Sequence, residues 1–279
     1  MTLKVAYLGP PGTYSEMAAL TYYRVLQENS QETITLEPYP SIFRVLNASV
    51  EGKSDFSIVP VENSIEGGVA VTLDTLWQLE ELSIQKALVL PITHALLSRA
   101  KAIQKIRVIY SHPQALAQCQ QWIETHLPFA KLIPTQSTTE ALHHISDNLK
   151  TAAIASERAA DLYELPILAY GINDYADNCT KFWILSKQHT QNGSHTTLAF
   201  SLPVNAPGAL LKPLKILAEC GINLSRIESR PTKRSLGEYL FFLDIESSIT
   251  NLDMQKALHN LRKCTETLKI LGTYSYLQS

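Results

Sequence analysis

Three times this chain runs a short apolar segment straight into a polar cluster. Val5-Ala6-Tyr7-Leu8 leads into Gly9-Pro10-Pro11-Gly12-Thr13-Tyr14-Ser15. Phe56-Ser57-Ile58-Val59-Pro60-Val61 leads into Glu62-Asn63-Ser64, and Val108-Ile109-Tyr110 into Ser111-His112-Pro113-Gln114. Each apolar segment has the length of a buried strand. Open α/β folds hold ligands just beyond the carboxyl ends of their strands. Hydroxyls, amides and a carboxylate gathered there point to a pocket for a small polar molecule.

The rest of the pattern agrees with an α/β fold. Strands are predicted over 3–8, 33–37, 56–61, 83–91, 107–110, 131–134, 152–155, 167–170 and 181–186. Helices are predicted between them, over 15–26, 41–51, 69–79, 114–126, 138–147 and 156–163, from apolar stripes such as Leu116, Trp122 and Ile123. Ser137 followed by Glu140 reads as a helix start. Such alternation implies a mainly parallel sheet, or two sheets with a cleft between them. Residues 187–195 are polar throughout and read as a linker. After them the predicted order is βαββαβ, a ferredoxin-like module of about 80 residues. Gly221 closes its first helix. Pro213 predicts that this helix starts late or kinks there.

Composition removes several classes. With 279 residues the chain has room for about two domains. A content of 45% hydrophobic and 18% charged residues argues against disorder. The net charge of -2 gives no field that favours nucleic acid or an anionic membrane. The basic cluster Arg226, Arg230, Lys233 and Arg234 lacks interleaved aromatics and reads as a solvated face. None of Cys119, Cys179, Cys220 and Cys264 forms a C-x-x-C pair, so no zinc site is suggested. No apolar run spans a bilayer, and the N-terminus lacks the order of a signal peptide. The expectation is a reduced cytoplasmic protein with no metal.

The loop Gly9–Ser15 lacks both the Gly-Lys-Ser/Thr ending of a P-loop and the three-glycine dinucleotide spacing. What remains is a tight turn aimed at a helix N-terminus, which favours an anion such as a carboxylate. Taken together, the motifs resemble the prephenate dehydratase family. The matching stretches are Gly9-Pro-Pro-Gly-Thr-Tyr-Ser-Glu16, Val59-Pro-Val-Glu-Asn-Ser-Ile-Glu-Gly-Gly-Val69, Ser111-His-Pro-Gln-Ala115 with Gln118-Cys119, Ala153-Ile-Ala-Ser156 and Asn178-Cys-Thr-Lys-Phe182. Pro207-Gly-Ala-Leu210 and Gly221-Ile-Asn-Leu-Ser-Arg-Ile-Glu-Ser-Arg-Pro231 look like the ACT regulatory domain that follows the catalytic domain in that family.

The resemblance implies a fold and an activity. It implies a two-lobed, periplasmic-binding-protein-like α/β catalytic domain over 1–188 and a βαββαβ ACT domain over 195–279. It implies conversion of prephenate to phenylpyruvate, with loss of carbon dioxide and water and without a cofactor. It also implies inhibition by L-phenylalanine bound between ACT domains of a homodimer or homotetramer. Aromatisation drives that reaction, so the protein need only hold two carboxylates, assist departure of the hydroxyl and shelter the ring.

Residue by residue, the resemblance places Thr180, Glu62, Asn63, Ser111 and Gln118 in catalysis. It places Thr13, Ser64, Lys181 and Phe182 on the substrate. A threonine hydroxyl is too weak an acid to protonate a leaving group alone. Thr180 is therefore expected to hydrogen-bond the departing hydroxyl. Glu62 serves as its acid only if the pocket keeps it protonated; an ionised helix cap is the alternative. Ser111 equally suits a helix cap, and Phe182 equally suits core packing. Where the family usually has Thr-Arg-Phe this chain has Thr180-Lys181-Phe182, and lysine cannot grip a carboxylate with two parallel bonds. Gly208, Ala209, Leu210, Asn223, Leu224, Glu228, Ser229 and Arg230 match the effector motifs. Dehydration of arogenate, the amino acid counterpart of prephenate, and non-catalytic anion binding remain the alternatives.

Overall fold

The computed structural model describes residues 2–29, 31–145 and 148–277. The chain divides into two compact units. The first holds Met1–Ser41, Asn63–Gly67 and Val89–Thr180; the second holds Ile42–Glu62, Gly68–Leu88 and Lys181–Ser279. The divisions between Glu62 and Asn63 and between Thr180 and Lys181 fall inside two strands, Phe56–Asn63 and Cys179–Ser186.

In the first unit, strands Thr2–Leu8 and Thr33–Tyr39 pair in parallel around the helix Tyr14–Asn29. A five-stranded sheet follows, in the order Ile167–Tyr170, Ala95–Leu97, Thr151–Ala155, Val108–Ser111, Lys131–Pro134. Its last three strands are parallel and the Ala95–Leu97 strand is antiparallel to both neighbours. Period-2 alternation sends Leu96, Ala152 and Ile154 into one buried cluster and Ala95, Leu97, Ala153 and Ala155 into another, so both faces of this sheet are covered. The three-residue strand Ala95–Leu97 was too short for its pattern to be read from sequence.

Two expected helices differ. The segment 114–126 is broken into Pro113–Ala117 and Gln120–His126. Asp174 explains the break: its carboxylate accepts from Gln121 N and Trp122 N, both at 3.0 Å, and its backbone N–H bonds Gln118 O at 2.8 Å. A partner so distant in sequence caps the second helix and turns the Gln118 carbonyl out of the first. The segment expected over 138–147 is a 3₁₀ turn, Glu140–His144, and Asp147 lies outside the described residues. Glu140 N does donate to Ser137 Oγ, at 3.0 Å, as the helix-start signal implied. Three-residue spacing then brings Leu142 and Ile145 into the same buried cluster.

In the second unit the C-terminal module is βαββαβ: His195–Ser201, Leu211–Glu219, Leu224–Pro231, Tyr239–Ile245, Leu252–Leu261, Thr267–Tyr276. Its strands run antiparallel in the order Leu224–Pro231, Tyr239–Ile245, His195–Ser201, Thr267–Tyr276. Both helices pack on this sheet through Leu217, Met254, Ala257, Leu258 and Leu261. The first helix starts late, so Pro213 falls in its first turn, where the missing N–H has no intrahelical partner to lose. Gly221, at φ +65°, ends it: Gly221 N bonds Ala218 O and Ile222 N bonds Leu217 O, a Schellman closure. The strand order continues through Ser83–Pro91, Cys179–Ser186 and Phe56–Asn63. Three segments ahead of the polar linker therefore pack with the module, and the compact units do not follow the linker.

Candidate active site

The carboxyl end of the Phe56–Asn63 strand and the start of the Cys179–Ser186 strand are tied by two bonds. Ser64 N donates to Cys179 O at 2.9 Å, and Cys179 N donates to Ser64 Oγ at 3.0 Å. This fixes Asn63 beside Thr180. Asn63 Oδ1 accepts from Ile65 N and Glu66 N, each at 3.1 Å. Backbone N–H groups can only donate, so the orientation of the Asn63 amide is settled. Its Nδ2 then faces Asn178 Oδ1 at 2.8 Å, Thr180 Oγ1 at 2.9 Å and Cys179 O at 3.1 Å.

From that anchor the polarity of every neighbour follows. Asn178 Oδ1 accepts, so its Nδ2 donates, to Gln118 Oε1 at 2.9 Å. Gln118 Oε1 is therefore an acceptor, and its Nε2 is directed at Asn63 Oδ1 at 3.4 Å. Thr180 Oγ1 accepts from Asn63 and has no acceptor for its own proton among the described residues. The hydroxyl keeps a donor unspent. Asn63, Gln118, Asn178 and Thr180 are all buried.

His94 joins the far end, and nothing in the sequence singled it out. It lies between two strands, held by His94 N donating to Asn173 Oδ1 at 2.6 Å. Its ring Nε2 is 3.0 Å from Gln118 Oε1, Tyr14 packs edge-on at 5.8 Å, and burial pulls the imidazole below its ordinary pKa. Asn178 was visible as part of a motif but not as a member of the site. Both belong through side chains distant in sequence.

The other expected residues are placed differently. Ser111 is fully buried and its hydroxyl donates to Ile154 O at 2.6 Å, while His112, not Ser111, caps the next helix. Burial lowers the His112 pKa, with the Glu66 charge working the other way. Thr13 bonds within its own turn: its hydroxyl donates to Pro10 O at 2.9 Å and accepts from Glu16 N at 3.3 Å. Gly12 in that turn has φ +85°, and a Cβ there would come within 2.8 Å of Thr139 Cγ2, so only glycine fits.

In the second unit, Glu62 Oε2 is 3.4 Å from Arg226 Nε, and Lys181 Nζ is 2.6 Å from Asp244 Oδ2. Phe182 is buried. Arg226 also bonds Glu228, and Arg230 grips Asp74 Oδ1 and Oδ2 at 3.0 and 3.1 Å. Gly208, at φ +80°, and Leu210 lie just ahead of the helix Leu211–Glu219; Asn223 and Leu224 lie just after it. Asn223 Nδ2 donates to Glu246 Oε2 at 2.9 Å. Among the described residues no group of three or more His, Cys, Asp or Glu is placed to hold a metal ion, and no helix is long and apolar enough to cross a membrane.

The architecture is that of an α/β protein with an appended ferredoxin-like module, and its candidate site is a neutral, donor-rich cluster at strand ends. Comparison with known proteins gives the family. The prephenate dehydratase family model matches residues 5–190, and the ACT domain model matches residues 196–263. The chain belongs to the prephenate dehydratase family and carries an ACT domain. It is 38% identical over 281 residues to the prephenate dehydratase of Lactococcus lactis subsp. cremoris, covering 98% of both chains. Among solved structures it resembles the prephenate dehydratase of Arthrobacter aurescens in complex with L-Phe, at 34% identity and TM-score 0.87, over 98% of this chain and 90% of that one. It also resembles GqqA, described as a novel type of quorum quenching acylase, at 28% identity and TM-score 0.81, over 99% and 98%.

Proposed function

We propose that this chain converts prephenate to phenylpyruvate, with Thr180 hydrogen-bonding the departing hydroxyl. The carrying observation is the 2.9 Å bond from Asn63 Nδ2 to Thr180 Oγ1, which satisfies the oxygen and leaves the O–H free to donate. The ring carboxylate departs as carbon dioxide. The electron pair of the broken C–C bond moves through the ring and expels the 4-hydroxyl, which leaves as water once it gains a proton from solvent or a neighbouring acid. A preorganised donor at such a leaving group contributes about 2.7–4 kcal/mol. Gln118, held with its amide nitrogen inward, supplies a second neutral donor. Ser64 holds the two strand ends together, and Ser111 braces the strand that leads to Gln118.

Glu62 and Lys181 are the charged members of the reading, beside Asn63 and Thr180 in the chain. Their present partners are Arg226 and Asp244. Each would have to exchange that partner to act as acid or carboxylate ligand. The fold shared with a quorum quenching acylase does not favour acyl transfer here. That chemistry needs a base bonded to the nucleophile, and the partner of Thr180 Oγ1 is an amide.

We also read the module as a sensor for L-phenylalanine in a homo-oligomer. The Gly208–Leu210 and Asn223–Leu224 groups lie at opposite ends of a nine-residue helix, about 13 Å apart. One small amino acid reaches both only by bridging two copies. The expected compartment is the cytoplasm.

The test is phenylpyruvate formation from prephenate by the purified chain, with and without L-phenylalanine, and with arogenate in a parallel arm. Turnover of prephenate suppressed by phenylalanine supports both parts. Turnover of arogenate alone, or of neither, contradicts the substrate assignment.

A further inference from the structure

The amide polarity derived above dictates the state of His94. Gln118 Oε1 can only accept, so the imidazole nitrogen 3.0 Å away must carry a proton. Burial disfavours the imidazolium, and in the neutral ring Nδ1 is then a bare acceptor; it has no hydrogen-bond partner among the described residues although it is buried. A buried polar atom left unpaired has a stability cost that calls for a reason. The reason lies on the other nitrogen.

We propose that His94 is a positioning residue for the reaction: its neutral, Nε2-protonated form holds the Gln118 oxygen and thereby sets Asn63 and Thr180. Two donors grip that oxygen, His94 Nε2 and Asn178 Nδ2. Together they keep the Gln118 nitrogen, rather than its oxygen, toward Asn63 Oδ1. A reversed Gln118 would set two carboxamide oxygens against each other and push Asn63 off Thr180. The bond network His94, Gln118, Asn63, Thr180 lies within the first unit. This role rests on the dehydratase reading above.

Two measurements on the full chain test it. In protein labelled with ¹⁵N-histidine, long-range ¹H–¹⁵N correlation, assigned by difference with His94→Gln, should show His94 neutral and protonated at Nε2. An Nδ1–H tautomer or an imidazolium at neutral pH overturns the proposal without reference to activity. In kinetics with prephenate, His94→Leu should lower kcat by about ten- to a hundred-fold, the scale of a misplaced catalytic group, with little change in KM. His94→Gln, whose amide nitrogen can reach the same acceptor, should recover most of that loss. Equal kcat for the Leu and Gln variants, or a change confined to KM, overturns it. A wild type inert toward prephenate sinks the dehydratase reading and this role with it, and is distinguished by a correct tautomer spectrum.

Discussion

Lys181 Nζ lies 2.6 Å from Asp244 Oδ2, an ammonium seated on a carboxylate with no exposed surface. Thr197 Oγ1 donates to the other oxygen of Asp244 at 2.7 Å. Burial is the largest single influence on Lys181 and works to lower its pKa, but the Asp244 charge, the neighbouring Tyr274 and Tyr276 and the hydrogen bond to Asp244 together carry the net shift upward. Lys181 follows Thr180 in the chain, and Glu62, paired with Arg226, precedes Asn63. Both pairs, Lys181 with Asp244 and Glu62 with Arg226, lie within the second unit.

Removing one partner of a buried pair leaves an uncompensated charge and costs about 3–5 kcal/mol. Lys181→Met is therefore expected to lower the unfolding midpoint sharply. Lys181→Arg, which keeps the charge, should retain the fold and the activity. Thermal unfolding of the two variants decides this, and equal midpoints for Met and wild type would contradict it.

At Asn63 the chemistry can be inverted without changing the shape. Asn63→Asp puts an oxygen where Nδ2 now donates, so the Thr180 proton turns inward and the leaving hydroxyl loses its donor. The expected loss in kcat is about 100-fold or more. Steady-state kinetics with prephenate measures it, and a fully active Asp variant would remove the bond from the mechanism.

The turn at Gly208 has φ +80°, a conformation that side chains resist. Its Cβ would meet open space, so strain rather than collision is the cost. Gly208→Val should abolish phenylalanine inhibition and leave phenylpyruvate formation in place. An unchanged inhibition curve would move the effector site elsewhere.

Asp74 gives a pH signature. Hydrogen bonds from Arg230, opposed by burial and joined by Lys233, hold its carboxyl below the usual range. A depressed folded pKa adds stability above the unfolded value of about 3.9, and that stability is lost as pH falls through the folded pKa. Asp74→Asn should lower the unfolding midpoint at neutral pH. The gap to wild type should close below about pH 4. A gap independent of pH would mean the ion pair contributes nothing.

Elements whose cause is local were legible in the sequence. The strands Ser83–Pro91, Lys131–Pro134 and Ile167–Tyr170 lie where apolar runs and turn residues put them, and Pro213 and Gly221 mark the bounds of their helix. Elements whose cause is a distant partner were not. Asp174 splits the 114–126 segment, and its carboxylate could not be connected to Gln121 before folding. Asn63 and Thr180 were legible through motifs, but their hydrogen-bond polarity needed the backbone of Ile65 and Glu66. His94 carried no sequence signal, since a lone histidine between strands is more often a packed one. The engagement of Lys181 with Asp244 was equally hidden, because the motif pointed Lys181 at the substrate and Asp244 reads as an ordinary strand position.

Thr180→Val is the decisive variant, because it removes the hydroxyl and keeps the side-chain shape. With the unfolding profile unchanged, phenylpyruvate formation from prephenate should fall by about 100-fold or more, and Thr180→Ser should restore much of it. A folded Val variant that turns over prephenate at the wild-type rate would contradict the account.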